Sequence, residues 1–284
     1  MVGLQSLPQM DTVSDVMTEW VITVEPSDSL LAARDLMTRN RVSQLVVIDE
    51  RKRPVGFISK RDIARFLLED ATTRRLEDIS VSDASTESIP TIRRDLPVFN
   101  AARLFDTENL AYTVVANENP LSGIMTETDL CHYYSRKLPR QFKVAEFMAR
   151  DFIFAKSNYP AVHVAHAIVF RQPSVPVIDE ELVGILTLSD ILSIREKAPK
   201  TTHGRLTALP NSDVALITTR DLMTPNPITT REDADLAQAA QIIINKGIGS
   251  LPVIDGEMRV VGLVTKHDIV RALGRIGKNL TVEA

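Results

Sequence analysis

Apolar residues follow two different spacings along this chain, and the two spacings recur in the same order. In segments such as 30–37 and 236–243, apolar residues lie three or four positions apart, which is typical of an amphipathic helix. A short β-rich run such as 21–24 precedes the helix, and two aliphatic runs joined by a polar turn follow it. The pattern therefore predicts a unit that runs strand, helix, strand, strand, helix.

The second aliphatic run of each unit opens a fixed phrase. It reads glycine, two apolar residues, Ser or Thr, two variable positions, Asp and an aliphatic residue. Its four copies begin at Gly56, Gly123, Gly184 and Gly262. Because self-similarity is the sequence signature of a repeat architecture, we predict four copies of one supersecondary unit.

Two further phrases recur at fixed places in the unit. The first aliphatic run ends in Asp at residues 45–49, 175–179 and 251–255, with 112–116 as a weaker counterpart. A short opener, in which an acid is followed two residues later by Met, begins three units at residues 15–18, 146–149 and 221–224. The second unit offers only residues 77–79 as an opener.

The fold class is accordingly α/β, with strands and helices alternating inside each repeat. We predict the repeats at residues 13–69, 76–136, 144–194 and 218–273. A sheet of three strands leaves one face half covered, so we expect the repeats to pair, as modules 1–140 and 141–284. Each module has the length of a domain that folds unaided.

The connections between the repeats differ in length. The one between the two modules, at 136–143, is short, which favours packing of the modules against each other. The widest gap, at 195–218, has the polar composition with Pro and Gly that is typical of a surface connection.

Composition and charge mainly exclude classes of protein. The net charge of −4 lacks the basic excess that a nucleic-acid partner requires. The single cysteine, Cys131, excludes an intramolecular disulfide, and no signal-like segment begins the chain, so we expect a cytoplasmic protein. No apolar run approaches the roughly 20 residues that span a bilayer, so we expect no contact with a membrane.

The polar residues of the glycine phrase lie where a buried strand turns into a helix. A helix start has unpaired backbone N–H groups and partial positive charge, which favour an anion such as phosphate. A hydroxyl at the start can donate to a phosphate oxygen, and the candidates are Ser59, Thr126, Thr187 and Thr265. An acid three residues later can accept from the two hydroxyls of a ribose, and the candidates are Asp62, Asp129, Asp190 and Asp268.

The variable positions of the phrase distinguish the units. Units one and four place cations there, namely Lys60, Arg61, Lys266 and His267. The corresponding residues of units two and three bring no cation. Since attraction between unlike charges at contact is worth about 1 to 4 kcal/mol in wet surroundings, we expect the strongest binding at Asp62 and Asp268.

A purely structural interpretation of the same residues stays open. Ser or Thr followed three residues later by an acid is also a helix capping box, which contributes only about 1 kcal/mol of stability. The glycines can equally serve close strand packing or a bulge. The sequence indicates neither a metal site nor a catalytic centre, because His163 and His166 have no acid at ligand spacing and Cys131 has no catalytic partner.

Taken together, the phrases resemble the cystathionine-β-synthase (CBS) domain family over nearly the whole chain. The arrangement of four repeats is similar to the gamma subunit of AMP-activated protein kinase and to small archaeal and bacterial four-repeat proteins. The resemblance implies two pseudo-twofold modules of paired repeats, each with two clefts for AMP, ADP, ATP or S-adenosylmethionine and with no metal required. Two aromatic residues, Trp20 and Tyr112, fall near strand starts that line such clefts, where they can stack on an adenine or simply pack.

The resemblance also implies a regulatory protein that acts on a client protein, and not an enzyme. Two departures from the family pattern stand out. Unit two lacks the opening Met, and unit three is expected to have a shortened helix that ends at 171–173. Homodimerisation is compatible with the resemblance, because paired modules in this family often stack.

Two other functions remain open at this point. One is a nucleic-acid-binding or scaffolding protein with empty clefts. The other is an accessory subunit of a purine-metabolism enzyme related to IMP dehydrogenase, since the repeats leave no segment long enough for a catalytic barrel of their own.

Overall fold

The computed structural model of the protein describes residues 11–69, 74–117, 121–193 and 217–282. Four repeats of similar layout contain its helices and strands. The predicted surface connection at 195–218 lies outside the described residues except for its last two positions.

Repeats one and two follow the predicted order of elements. Repeat one comprises β1 (Thr23–Val24), α1 (Leu30–Arg39), β2 (Gln44–Ile48), β3 (Pro54–Ser59) and α2 (Lys60–Glu69). Repeat two comprises β4 (Thr91–Ile92), α3 (Val98–Thr107), β5 (Tyr112–Val115), β6 (Gly123–Thr126) and α4 (Glu127–Lys137).

Repeats three and four vary this layout. Repeat three comprises α5 (Ala161–Phe170), β7 (Ser174–Ile178), β8 (Leu182–Thr187) and α6 (Leu188–Leu192). Repeat four comprises α7 (Thr219–Leu222), β9 (Thr224–Pro225), β10 (Thr230–Arg231), α8 (Leu236–Lys246), β11 (Ser250–Ile254), β12 (Val260–Thr265) and α9 (Lys266–Val282).

Two predictions about repeat three were wrong. Its first strand is reduced to a parallel bridge between Ala155 and Val177, and the third strand of its sheet, β9, comes from repeat four. Its first helix is not shortened, because α5 has 10 residues, the same length as α1 and α3. The Pro173 that suggested an early end comes after the last helical residue.

Each sheet has three strands. In repeats one, two and four the first strand runs parallel to the second, with the intervening helix as the crossover, and the second and third strands form an antiparallel hairpin. Parallel neighbours need such a crossover, whereas antiparallel ones need only a turn.

In repeats one and four, the Asp that ends the first aliphatic run holds the hairpin turn. In repeat one, the Asp49 carboxylate accepts hydrogen bonds from the backbone N–H groups of Arg51 and Arg53 at 2.9 and 2.8 Å. In repeat four, the Asp255 carboxylate accepts one from the backbone N–H of Arg259 at 3.0 Å. Because these bonds fix the turn, this recurrent Asp has a structural role.

Repeats one and two pair by exchanging their openers. Thr18, at the end of the first opener, exchanges two backbone hydrogen bonds with Ile124 in β6, each with an N–O distance of 2.9 Å. Thr86 of repeat two bonds Phe57 in β3 in the same way, at 2.9 and 3.0 Å. The exchange is therefore reciprocal.

Repeats three and four pair by the same exchange. Ala149 of repeat three exchanges two backbone hydrogen bonds with Leu263 in β12, at 2.8 and 2.9 Å. In return, β9 of repeat four lies against β8, with Thr224 opposite Ile185. Each repeat thus contributes its opener to the sheet of its partner.

The opener of repeat two lies later in the chain than the sequence pattern predicts. The prediction is residues 77–79, but the structure places the equivalent 3₁₀ turn at Val81–Asp83. Val81 is fully buried, as are Val13 and Val144 at the start of the openers of repeats one and three. A buried residue at its first position therefore marks an opener, and the opener of repeat two lies at residues 81–83 instead of 77–79.

Two large hydrophobic cores join the two pairs of repeats. One combines α1 and α2 of repeat one with α5 and α6 of repeat three. The other combines α3 and α4 of repeat two with α8 and α9 of repeat four. Either pair alone would leave one side of both cores exposed to water. The division into modules at residue 140 stays a prediction.

The glycine that opens each phrase makes room for the exchanged opener. A Cβ atom on Gly56 would lie 2.5 Å from the carbonyl oxygen of Thr86, and one on Gly123 would lie 2.8 Å from that of Thr18. Both distances are far inside normal contact, and the obstacle is backbone in each case. The glycines therefore permit a close approach between paired repeats.

We predict that Gly56→Ala lowers the free energy of unfolding by about 1 to 3 kcal/mol, because the added methyl group forces the opener of repeat two away from β3. Gly256→Ala is the matched control, since a Cβ atom there meets nothing within 4 Å. Urea denaturation of both variants measures the effect. Equal stability of the two would contradict this role for Gly56.

Candidate functional site

Each glycine phrase ends in a capping box that starts a helix. One carboxylate oxygen, Oδ2, of Asp62 accepts from the Ser59 backbone N–H at 2.9 Å and from its hydroxyl at 2.6 Å. Asp129 accepts from the N–H and the hydroxyl of Thr126, both at 2.8 Å. The remaining two boxes, Thr187 with Asp190 and Thr265 with Asp268, have the same bonds at 2.8 to 2.9 Å.

This geometry changes the role expected for the four hydroxyls. A hydroxyl has a single hydrogen, and in this structure the hydrogens of Ser59, Thr126, Thr187 and Thr265 are donated to the neighbouring Asp. The sequence suggests that these hydroxyls donate to a phosphate. In the structure they are not free to do so. At these turns, only backbone N–H groups and nearby cations can serve a phosphate.

In two of the boxes the other carboxylate oxygen, Oδ1, faces the paired repeat. Oδ1 of Asp129 accepts from the hydroxyl of Thr18 at 3.0 Å, although these residues lie 111 positions apart. Oδ1 of Asp190 lies 3.4 Å from the hydroxyl of Thr224. Two exchanged openers thus bring a threonine to the aspartate of the partner repeat.

The four sites are named here by their aspartates. The Asp62 cleft lies between that residue and the opener of repeat two, and the Asp129 cleft between that residue and the opener of repeat one. The Asp190 and Asp268 clefts lie in the same way against the openers of repeats four and three. Each cleft therefore needs two repeats.

An arginine three residues after the Asp was not anticipated from the sequence. Arg271 forms an ion pair with Oδ1 of Asp268 at 2.8 Å, and also donates to the carbonyl oxygen of Phe147 in the opener of repeat three. Arg65 lies 3.9 Å from Oδ1 of Asp62. Residues three apart are neighbours on a helix, so this spacing could have identified both arginines.

The cations of the variable positions lie between the two pairs of repeats. Lys60 donates to the hydroxyl of Ser189 in repeat three at 3.3 Å, and Lys266 donates to that of Thr128 in repeat two at 2.8 Å. Within the described ranges, neither lysine forms an ion pair with a carboxylate. Both therefore carry a positive charge that is not neutralised by a neighbouring acid.

The two lysines also influence one another. Burial lowers the pKa of the Lys60 ammonium, and the charge of Lys266 lowers it further. Lysines of repeats one and four are thus close enough to repel. An anion between them would relieve this repulsion.

The second variable position is occupied by side chains that already have partners. Arg61 donates to the carbonyl oxygen of Val169 in repeat three at 3.3 Å. His267 lies 3.0 Å from a carboxylate oxygen of Glu127 and 3.8 Å from one of Asp106, both in repeat two. These two residues therefore connect the pairs of repeats.

Burial raises the pKa of the phrase aspartate in two of the clefts. It raises the pKa of Asp129, opposed by the hydrogen bonds from Thr126 and Thr18. It also raises the pKa of Asp268, opposed by the bonds from Thr265 and by the charge of Arg271. Both carboxylates are thus held in surroundings that disfavour their charge.

The two aromatic candidates have different surroundings. Trp20 is 92% exposed and has no place in the core. The Tyr112 side chain is half-buried against Phe57 and lies beside the Asp62 cleft.

The residues considered for metal binding and catalysis are not assembled into a site. Across the described parts of the chain, no three His, Cys, Asp or Glu side chains lie together as a metal site. Cys131 is fully buried, and burial raises the pKa of its thiol well above the ordinary value. Among the same residues, no helix combines the length and the apolar character needed to cross a membrane.

The comparison with protein families decides the relationship. The model of the CBS domain matches the chain four times, at residues 13–69, 81–136, 144–197 and 220–275. The chain belongs to the CBS-domain family. The second match begins at residue 81, where the structure places the opener of repeat two.

The chain is similar in sequence and fold to protein MJ1225 of Methanocaldococcus jannaschii. The two are 27% identical over 271 residues, which cover 88% of this chain and 94% of MJ1225. The crystal structure of MJ1225, described as that of a proposed archaeal homologue of g-AMPK, matches with a TM-score of 0.80 at 22% identity. The match covers 92% of this chain and 99% of the other.

Two further proteins are similar to this chain over different shares of their own length. A conserved protein of Pyrococcus horikoshii has the same fold, with a TM-score of 0.63 at 19% identity over 92% of this chain and 99% of its own. Inosine-5'-monophosphate dehydrogenase of M. jannaschii is 24% identical over 193 residues, which cover 67% of this chain and only 35% of the enzyme. Most of that enzyme therefore has no counterpart here.

We predict that His267 stabilises the contact between repeats two and four at low pH. Hydrogen bonding to Glu127 raises the pKa of the imidazole above its ordinary value of 6.5, and the charges of Glu127, Asp268 and Asp106 add to this against the effect of burial. The stabilisation is therefore complete below pH 6.5 and is lost as the pH rises through the folded-state pKa.

The test compares His267→Gln with the wild type by urea denaturation at pH 6 and pH 9. We expect the substitution to lower the free energy of unfolding by about 0.5 to 1 kcal/mol at pH 6 and by less at pH 9. The same loss at both pH values would show that the charge of His267 has no part in the contact.

A second pH prediction concerns the buried acid Asp129. Its folded-state pKa is raised above the ordinary value of 3.8. Its contribution to the free energy of unfolding therefore falls as the pH rises from 3.8 to the folded-state pKa. Asp129→Asn keeps an oxygen that can accept the capping bonds but cannot ionise. The difference in unfolding free energy, variant minus wild type, should therefore increase between pH 4 and pH 7. A difference that stays constant over this range would contradict the effect of burial.

Proposed function

We propose that this protein is a regulatory module that binds an adenosine ligand, AMP, ADP, ATP or S-adenosylmethionine, in the clefts between paired repeats. The observation that carries the proposal is the second oxygen of Asp129 and of Asp190, which is directed at the opener of the paired repeat and not at its own helix. CBS domains typically act as regulatory modules, which supports this function.

The aspartates provide the sugar end of the proposed sites. An ionised carboxylate accepts hydrogen bonds only, and the two neighbouring hydroxyls of a ribose are suitable donors. One oxygen is already occupied by the capping bonds, so Oδ1 of Asp129, Asp190 or Asp268 would receive the sugar. The opener threonines Thr18 and Thr224 would move their hydroxyls from the acid to the ligand.

The lysines provide the phosphate end. Lys60 and Lys266 lie at the first turns of α2 and α9, where the helix dipole also favours an anion. A phosphate between the two pairs would neutralise charge that no carboxylate of the described residues balances. S-adenosylmethionine, which has no phosphate, would use the sugar end alone.

The helices that start at the clefts give the ligand a route to the rest of the molecule. Helix α2 of repeat one packs on α5 and α6 of repeat three, and α9 of repeat four packs on α3 and α4 of repeat two. A ligand that prefers one arrangement of the helices therefore shifts the packing of the two pairs. We propose that a client protein in the cytoplasm recognises this change in packing, and that the change signals the energy state of the cell.

The test is calorimetric titration of the whole chain with AMP, ATP and S-adenosylmethionine. We predict that Asp268→Ala lowers the affinity of its cleft for AMP at least tenfold, about 1.4 kcal/mol. Asp190→Ala should have a smaller effect, because no cation accompanies its phrase. Flat traces of the wild type with all three ligands would refute the proposed function, and equal losses in the two variants would refute the ranking.

Asp221→Ala is the matched control for the capping role. Asp221 accepts from the backbone N–H and the hydroxyl of Thr218 at 2.8 and 2.7 Å, in an exposed box of the same design. It begins the opener of repeat four, in which Thr224 and not Asp221 contacts the phrase aspartate Asp190. Its removal should cost about 1 kcal/mol of stability and leave the affinity for AMP unchanged.

A further inference from the structure

One position distinguishes the two pairs of repeats. The first residue of the strand before each glycine phrase lies opposite the Ser or Thr of that phrase in its own sheet. The residues at this position are Gln44, Tyr112, Ser174 and Ser250. Because it adjoins the start of the helix, a long side chain here can reach a cleft.

In the second pair of repeats this position holds two short side chains. Ser174 and Ser250 are buried, and their hydroxyl oxygens lie 2.6 Å apart. The two serines thus bond each other where repeats three and four meet. Neither side chain is long enough to fill the Asp190 or the Asp268 cleft.

In the first pair, Tyr112 of repeat two extends into repeat one. Its ring packs on Phe57 with 4.4 Å between the ring centroids. Its hydroxyl lies near the side chains of Ser59, Thr86 and Asp62. The last three residues form the two walls of the Asp62 cleft, so the phenol lies inside that cleft.

The phenol has the chemistry of a sugar hydroxyl. Burial raises the pKa of Tyr112 to about 12, and the charge of Asp62 adds to this against the hydrogen bonds with Ser59 and Thr86. At neutral pH the group therefore stays protonated and can both donate and accept a hydrogen bond, as a ribose hydroxyl does.

We propose that Tyr112 is a built-in occupant of the Asp62 cleft, which takes the place of the sugar and keeps adenosine ligands out of that cleft alone. This inference rests on the proposed function and revises the sequence-based ranking, in which the cations Lys60 and Arg61 placed Asp62 among the strongest sites. A ligand would have to move the ring away from Phe57, and its apparent affinity falls by the fraction of molecules in which the ring has moved.

The test counts the AMP molecules bound per chain by calorimetric titration of the full-length protein. Tyr112→Ser introduces the residue of positions 174 and 250 and should add one bound AMP per chain. Tyr112→Phe retains the ring, and should add none. The double variant Tyr112→Ser, Asp62→Ala should return the number to that of the wild type.

A reciprocal variant, Ser250→Tyr, tests the inference even if Tyr112→Ser does not fold. Ser250→Tyr places the same phenol opposite the Asp190 cleft and should remove one bound AMP per chain. The inference is overturned if Tyr112→Ser folds and binds no additional AMP, or if Ser250→Tyr folds and loses none. A wild type that binds none of AMP, ATP and S-adenosylmethionine contradicts the proposed function, whereas an additional AMP site that appears only in Tyr112→Ser still supports the role of Tyr112.

Discussion

The close contact between each opener and the glycine of the paired repeat is the constraint on which the rest of this structure depends. Only a residue without Cβ lets the carbonyl oxygens of Thr18 and Thr86 approach β6 and β3 as closely as they do. The same contact positions a threonine of one repeat at the aspartate of the other. Pairing and cleft formation are therefore one event, and a repeat that is not paired has no complete cleft.

A second layer of contacts joins the two pairs of repeats, and residues of the clefts take part in these contacts. Each phrase is followed at once by a helix, so residues that line a cleft are also the first turn of a helix in a core shared by both pairs. Lys60 and Lys266 lie at this junction, with their ammonium groups on hydroxyls of the opposite pair. A charge bound at a cleft therefore acts electrostatically on the contact between the two pairs.

The sequence was sufficient for features that are local. Repeat number, the order of elements and the residues of each phrase follow from spacing, because apolar periodicity and capping act over a few residues. Contacts between distant segments could not be predicted from this local spacing. The Met of the opener attracted attention, whereas Val81, a buried residue in the pattern of Val13, is what marks the opener of repeat two. Likewise, nothing local shows that Tyr112 of repeat two reaches Ser59 of repeat one.

The capping interpretation and the binding interpretation of the phrase apply to different oxygens of the same carboxylate. The exposed acids Asp15 and Asp221 form capping boxes of the same design, and hydrogen bonds from Thr12 and Thr218 lower their pKa values. An exposed acid therefore suffices to start a helix. Asp129 and Asp268 are instead buried so far that their pKa values rise, which makes their charge a cost to folding at neutral pH. Capping does not explain that cost, whereas a ligand that donates hydrogen bonds to the second oxygen would offset it.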